Sequence, residues 1–87
     1  MQDTSPFRKA RAVKRTHQAE LMGKANVVGV GVGLRQQGGI PTGELAIVVM
    51  VRQKVPRAQL ASADVIPTEI EGVPVDVQEV GKIVAHD

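Results

Sequence analysis

Between Asn26 and Leu34 the chain reads NVVGVGVGL, with Gly29, Gly31 and Gly33 at every second position among valines. A period of two places successive side chains on opposite faces of an extended strand. The alternation predicts one face built of Val28, Val30, Val32 and Leu34, and another carrying Val27 and the three glycines. A glycine face leaves a flat groove that a helix, another backbone or a ligand can approach closely. The run is no dinucleotide-binding fingerprint. Its third glycine falls one position early, and it leads into a hairpin where the fingerprint must follow a strand and open a helix. No Gly-Lys-Ser/Thr completes a Walker loop.

The neighbouring segments set the rest of the order. Residues Ser5 to Gly23 predict a helix, with Ser5 as cap, Pro6 at the first helical position and Gly23 as the stop. Phe7, Ala10, Val13, His17 and Leu21 recur at spacings of three and four, which makes one apolar stripe. After the Gly–Val strand, RQQGGIPTGE supplies a polar, glycine-rich reversal. Leu45 to Val51 is apolar at every position and predicts a central strand covered on both faces. KVPRAQLASADVIP reads as a short helical turn that Pro56 opens and Pro67 closes, with Leu60 inward. A weak strand at Thr68–Glu71, a turn at Gly72 and a strand at Val73–Val80 complete the domain. Pro74 lacks the N–H that a ladder needs, which favours an edge position for the last strand.

The expected fold class is α+β. A two-layer sandwich fits, with an antiparallel-rich sheet of about four strands, an N-terminal amphipathic helix and a short second helix, in a ferredoxin-like or permuted arrangement. The single domain is expected over residues 5–81, after a disordered N-terminus at 1–4 and before a tail at 82–87. A chain of 87 residues with one phenylalanine and no Trp, Tyr or Cys must build its core from aliphatic side chains. At this size it buries roughly 60–65% of its unfolded surface, which leaves stability marginal and favours burial through oligomers or a larger neighbour.

Candidate sites are few. Arg8, Lys9, Arg11, Lys14 and Arg15 crowd one helical segment, although the net charge is only +2. Such a cluster could contact phosphates. Stacking aromatics for nucleic acid are missing, however, so a solvated face or an acidic protein partner is expected instead. His17 falls on the apolar stripe and reads as a half-buried boundary residue. A site role would need a partner such as Asp76, His86 or Asp87. Ser5 and Ser62 lie in no nucleophile motif, and Glu69 and Glu71 flank Ile70 as solvent-facing carboxylates. No enzyme, metal site or cofactor is expected. The residues expected to contact a partner are Arg8, Arg11, Lys14, Arg15, Gly29, Gly31 and Gly33. No stretch has the roughly 18 apolar residues of a membrane span, and the polar N-terminus points to the cytoplasm.

A resemblance adds to this. NVVGVGVG, the hairpin, the run from Thr42 to Lys54, and Gly72 to Gly81 together resemble a segment standing before the peptidase domain in bacterial trypsin-like serine peptidases. The similarity covers residues 17–81. It implies a non-catalytic accessory or pro-like domain, since the peptidase motifs are absent from these residues. Such a domain would act by protein–protein contact with a trypsin-like peptidase domain in cis or in trans, as folding aid, cleft cover or assembly element. A free-standing homo-oligomer is the alternative, and weak nucleic-acid binding through the basic helix a more distant one.

Overall fold

The structure, a computed structural model, describes residues 6–80. The expected cap at Ser5, the disordered 1–4, the tail at 82–87, His86 and Asp87 lie outside them. The elements run α1 (Pro6–Met22), β1 (Val27–Gln37), β2 (Ile40–Val51), two 3-10 turns (Arg57–Gln59 and Ser62–Asp64), β3 (Glu69–Ile70) and β4 (Val73–Glu79). This is an α+β fold with one four-stranded sheet, order β1-β2-β4-β3. β1–β2 and β3–β4 pair antiparallel, and β2–β4 pair parallel. The short second helix is realised as the two 3-10 turns, each of three residues.

Alternation places the core. Val30 and Val32 stand opposite Val49 and Ile47, and these in turn oppose Val77 and Val75. α1 buries Ala10, Val13 and Leu21 against that valine-rich face. The helix stops at Gly23, whose N–H donates to the carbonyls of Ala19 (3.1 Å) and Glu20 (3.2 Å). Gly23 does not supply the left-handed residue of a glycine cap. That conformation falls to Asn26, at φ 69°, immediately before β1.

Two expectations need correction. A bulge between Val27 and Gly29 shifts the register, so Val27 packs against the core and Val28 is 46% exposed. An extra residue reverses the alternation on one side of a bulge, and no composition signal marked it. β4 also lies between β2 and β3 in the sheet order, although β3 covers only Val73 and Pro74. Its ladder with β2 begins at Val75, so the missing N–H of Pro74 falls before that pairing starts.

Both hairpins close through pairs of residues with positive φ. These are Gly38 and Gly39 (62° and 82°) between β1 and β2, and Glu71 and Gly72 (50° and 82°) between β3 and β4. Two-residue turns of this hand match the right-handed twist of the strands. Glu71 carries a side chain in the left-handed region, a strain of roughly 1–2 kcal/mol. It is held there by a 2.8 Å hydrogen bond between its Oε2 and His17 Nε2. The half-buried His17 thus ties α1 to the β3–β4 turn, with Glu20 at 3.8 Å on its other nitrogen. Because the pair is partly solvated, His17→Ala is expected to lower stability by only about 0.5–1 kcal/mol. In a Glu71→Gly background, the same substitution should cost nothing measurable. A urea double-mutant cycle reads this coupling, and equal costs in both backgrounds would refute the tie.

Candidate functional site

The residues expected to meet a partner fall on two separate surfaces. Helix α1 carries Phe7, Arg11, Lys14, Arg15 and Gln18 along the flank that overlooks Val32 of β1, where they line a cleft of about 280 Å³. The Arg11 guanidinium stacks over the Phe7 ring at 5.7 Å. Among the described residues, no carboxylate comes within ion-pair distance of Arg11, Lys14 or Arg15. Arg8, exposed on the same helix, has a partner.

Gly29, Gly31 and Gly33 lie on the sheet face opposite α1, across from Met50, Val48 and Ala46. The one α-helix among the described residues packs on the other face. The outer end of the β1–β2 hairpin bends over the glycine face instead. A second register shift between Leu34 and Gln36 turns the arm, and the Gln36 N–H donates to Asp76 Oδ2 at 2.9 Å. Asp76 also accepts from the Gln78 side chain at 3.0 Å. This carboxylate is therefore engaged with the arm, not with His17. Beneath the arm runs an open groove of about 420 Å³, lined in part by Gly31, Gly33, Leu34, Pro41, Val48 and Met50. Ala46 and Val48 are buried, in keeping with a strand apolar on both faces.

The three glycines are not equivalent. A Cβ at Gly29 would meet Met50 Cε at 2.9 Å, and one at Gly33 would meet Val48 Cγ2 at 3.3 Å. A Cβ at Gly31 would meet nothing within 4 Å.

Sequence reasoning missed one cavity. Val51, Val55, Leu60, Val65, Ile66 and Val77 line about 310 Å³ between the crossover segment, residues 52–68, and the end of the sheet. Hydrogen bonds that involve side chains pin that segment, among them Lys24 Nζ to the Ala63 carbonyl (2.6 Å), Ala25 N–H to Asp64 Oδ1 (2.9 Å) and Lys54 N–H to Glu79 Oε1 (2.7 Å). The available signal was the apolar scatter of Val55, Leu60, Val65 and Ile66 within a polar stretch. Among the described residues, no three His, Cys, Asp or Glu side chains gather as metal ligands. No helix there is long and apolar enough to cross a membrane.

The family described as the NARROW LEAF 1 N-terminal domain matches residues 10–80. The chain belongs to that family. Its match takes in α1 from Ala10 onward and every strand, so the glycine face and the α1 flank from Arg11 onward lie within NARROW LEAF 1 N-terminal domain sequence. This overturns the resemblance to a leader segment of bacterial trypsin-like peptidases. Nearly all of the motifs that carried it, from the Gly–Val strand to the GVPVDV run, fall inside a domain named for a plant protein family. No curated protein matches the chain.

Proposed function

We propose that this domain is a non-catalytic protein-contact module whose partner lies against the sheet face around Gly31. The space at Gly31 carries the reading. Glycine inside a strand is unfavourable by roughly 0.5–1 kcal/mol relative to alanine. At Gly29 and Gly33 neighbouring side chains account for the missing Cβ, whereas at Gly31 nothing within the fold does. A surface from outside the fold, approaching to backbone distance, accounts for it. The groove floor of Val48 and Met50 supplies apolar area for such a contact. The cytoplasmic setting expected from the sequence belongs to this proposal, and the absence of cysteine is compatible with a reducing compartment.

Gly31→Val separates contact from folding. It is expected to raise stability by about 0.5–1 kcal/mol in urea unfolding, since valine favours strands and its Cβ meets nothing within 4 Å. It should also weaken the contact. The family description is that of an N-terminal domain. The partner to test is therefore the remainder of a NARROW LEAF 1 protein, made without that domain and titrated calorimetrically. Binding that Gly31→Val diminishes supports the reading. No heat of binding, or binding indifferent to Gly31→Val, refutes it.

Self-association is a second reading, favoured by the exposed side chains of Phe7, Val28, Leu34 and Ile40. Sedimentation at rising concentration decides it. A species that stays monomeric throughout removes it.

A further inference from the structure

We infer that the outer edge of β1 accepts an extended, acidic segment of a partner protein as an additional strand. The inference rests on the protein-contact reading and names the chemistry of the partner.

β1 is the long edge of the sheet. Among the described residues it pairs with β2 alone, whereas the opposite margin is shorter, formed by the two-residue β3 and then by Val75–Glu79 of β4. Between its two register shifts, Gly29 to Leu34 pairs regularly with β2 from Met50 to Leu45. An edge strand presents unpaired N–H and C=O groups, and proteins normally blunt such an edge with prolines or inward charges. Gly29–Leu34 contains neither. A strand added there gains main-chain hydrogen bonds, and alternate side chains decide which sequence is accepted.

The charge beside the edge fixes that preference. Arg11, Lys14 and Arg15 stand on the flank of α1 over Val32, with no carboxylate partner among the described residues. β1 itself carries no acidic side chain. The only acidic residue of α1, Glu20, lies on the opposite flank beside His17. An added strand would turn every second side chain toward α1, where carboxylates meet these cations. The intervening side chains would turn toward the glycine face, where apolar groups fit. The recognised pattern is thus acidic–apolar alternation.

A capped peptide alternating glutamate with valine tests this on the intact 87-residue chain. At low ionic strength it is expected to bind and to slow amide exchange across Gly29–Leu34. A lysine–valine peptide should bind at least about tenfold more weakly, and added salt should weaken the glutamate peptide. Lys14→Glu with Arg15→Glu should weaken it by at least about tenfold, with helical circular dichroism unchanged. The neutral pair Lys14→Gln and Arg15→Gln should fall between. Absence of binding, or binding without protection of Gly29–Leu34, overturns the inference. So does single-stranded DNA of equal charge binding as tightly as the peptide, which would assign the cations to nucleic acid. A domain that binds the peptide but not the NARROW LEAF 1 remainder keeps the edge site and loses the broader contact reading.

Discussion

Ile47→Ala is expected to lower stability by about 2–5 kcal/mol, the largest effect of any single truncation here. Ile47 is fully buried at the middle of β2. Val32 stands opposite it on β1 and Val75 on β4, and α1 closes the cluster from above with Ala10, Val13 and Leu21. Both flanking strands are tied into the ladder, so the site can collapse little around the lost volume. A domain of this size holds roughly 4–13 kcal/mol in total. The midpoint of thermal unfolding should fall by about 4–8 °C for each kcal/mol lost. Ile40→Ala is the matched control. Ile40 is 69% exposed at the hairpin tip, and its truncation should change stability by less than about 0.5 kcal/mol. If Ile47→Ala proves as mild as Ile40→Ala, the placement of the core on the α1 face is wrong.

Gly72→Val is expected to cost about 2 kcal/mol or more, through the backbone rather than through packing. Gly72 sits at φ 82° in the two-residue turn between β3 and β4. A β-branched side chain is a genuine outlier there, and left-handed geometry alone costs roughly 1–2 kcal/mol. A Cβ would additionally press on Lys9 Nζ at 3.3 Å, although the flexible lysine end can move aside. Gly72→Asn should therefore recover part of the loss, because asparagine tolerates this region. Urea unfolding of the two variants measures the difference. Equal destabilisation by valine and asparagine would place the cost in packing against α1 and contradict the turn geometry. The opposite sign expected for Gly31→Val makes the contrast sharper, since the same substitution relaxes one glycine position and strains another.

Much of the architecture was legible because it rests on local periodicity. The three-and-four spacing of Ala10, Val13, His17 and Leu21 gave α1 the stripe on which Ala10, Val13 and Leu21 are buried. Alternation gave β1, β2 and β4, and Gly72 gave one reversal; the other, read over the ten residues RQQGGIPTGE, narrows to Gly38–Gly39, with the rest of that stretch in β1 and β2. What escaped is non-local. The bulge at Val28 depends on how β1 meets β2 across the hairpin, and no residue type announces it. The place of β4 between β2 and β3 depends on where its parallel ladder with β2 begins, so Pro74 misled. The partner of His17 is Glu71, 54 residues away; Glu71 is exposed as its sequence position suggests, but nothing local announces the pairing. The glycines were legible as a group, but their separate meanings required the positions of Met50 and Val48 on the neighbouring strand. The basic cluster was legible in full, whereas its place beside the free edge of β1 followed only from the packing of α1.

The parallel joining of β2 and β4 also sets an order of assembly. The Gly38–Gly39 hairpin closes through contacts near in sequence, but β4 reaches β2 only after the whole of residues 52–72 has been spanned. Closing a long segment delays such pairing. During synthesis, α1 and the hairpin leave the ribosome first, with the β4-facing side of β2 bare until Val75–Glu79 emerges. In that interval the nascent chain leaves open a margin of β2 that the finished sheet buries, and this is the stage at which it is most exposed to mispairing with other chains.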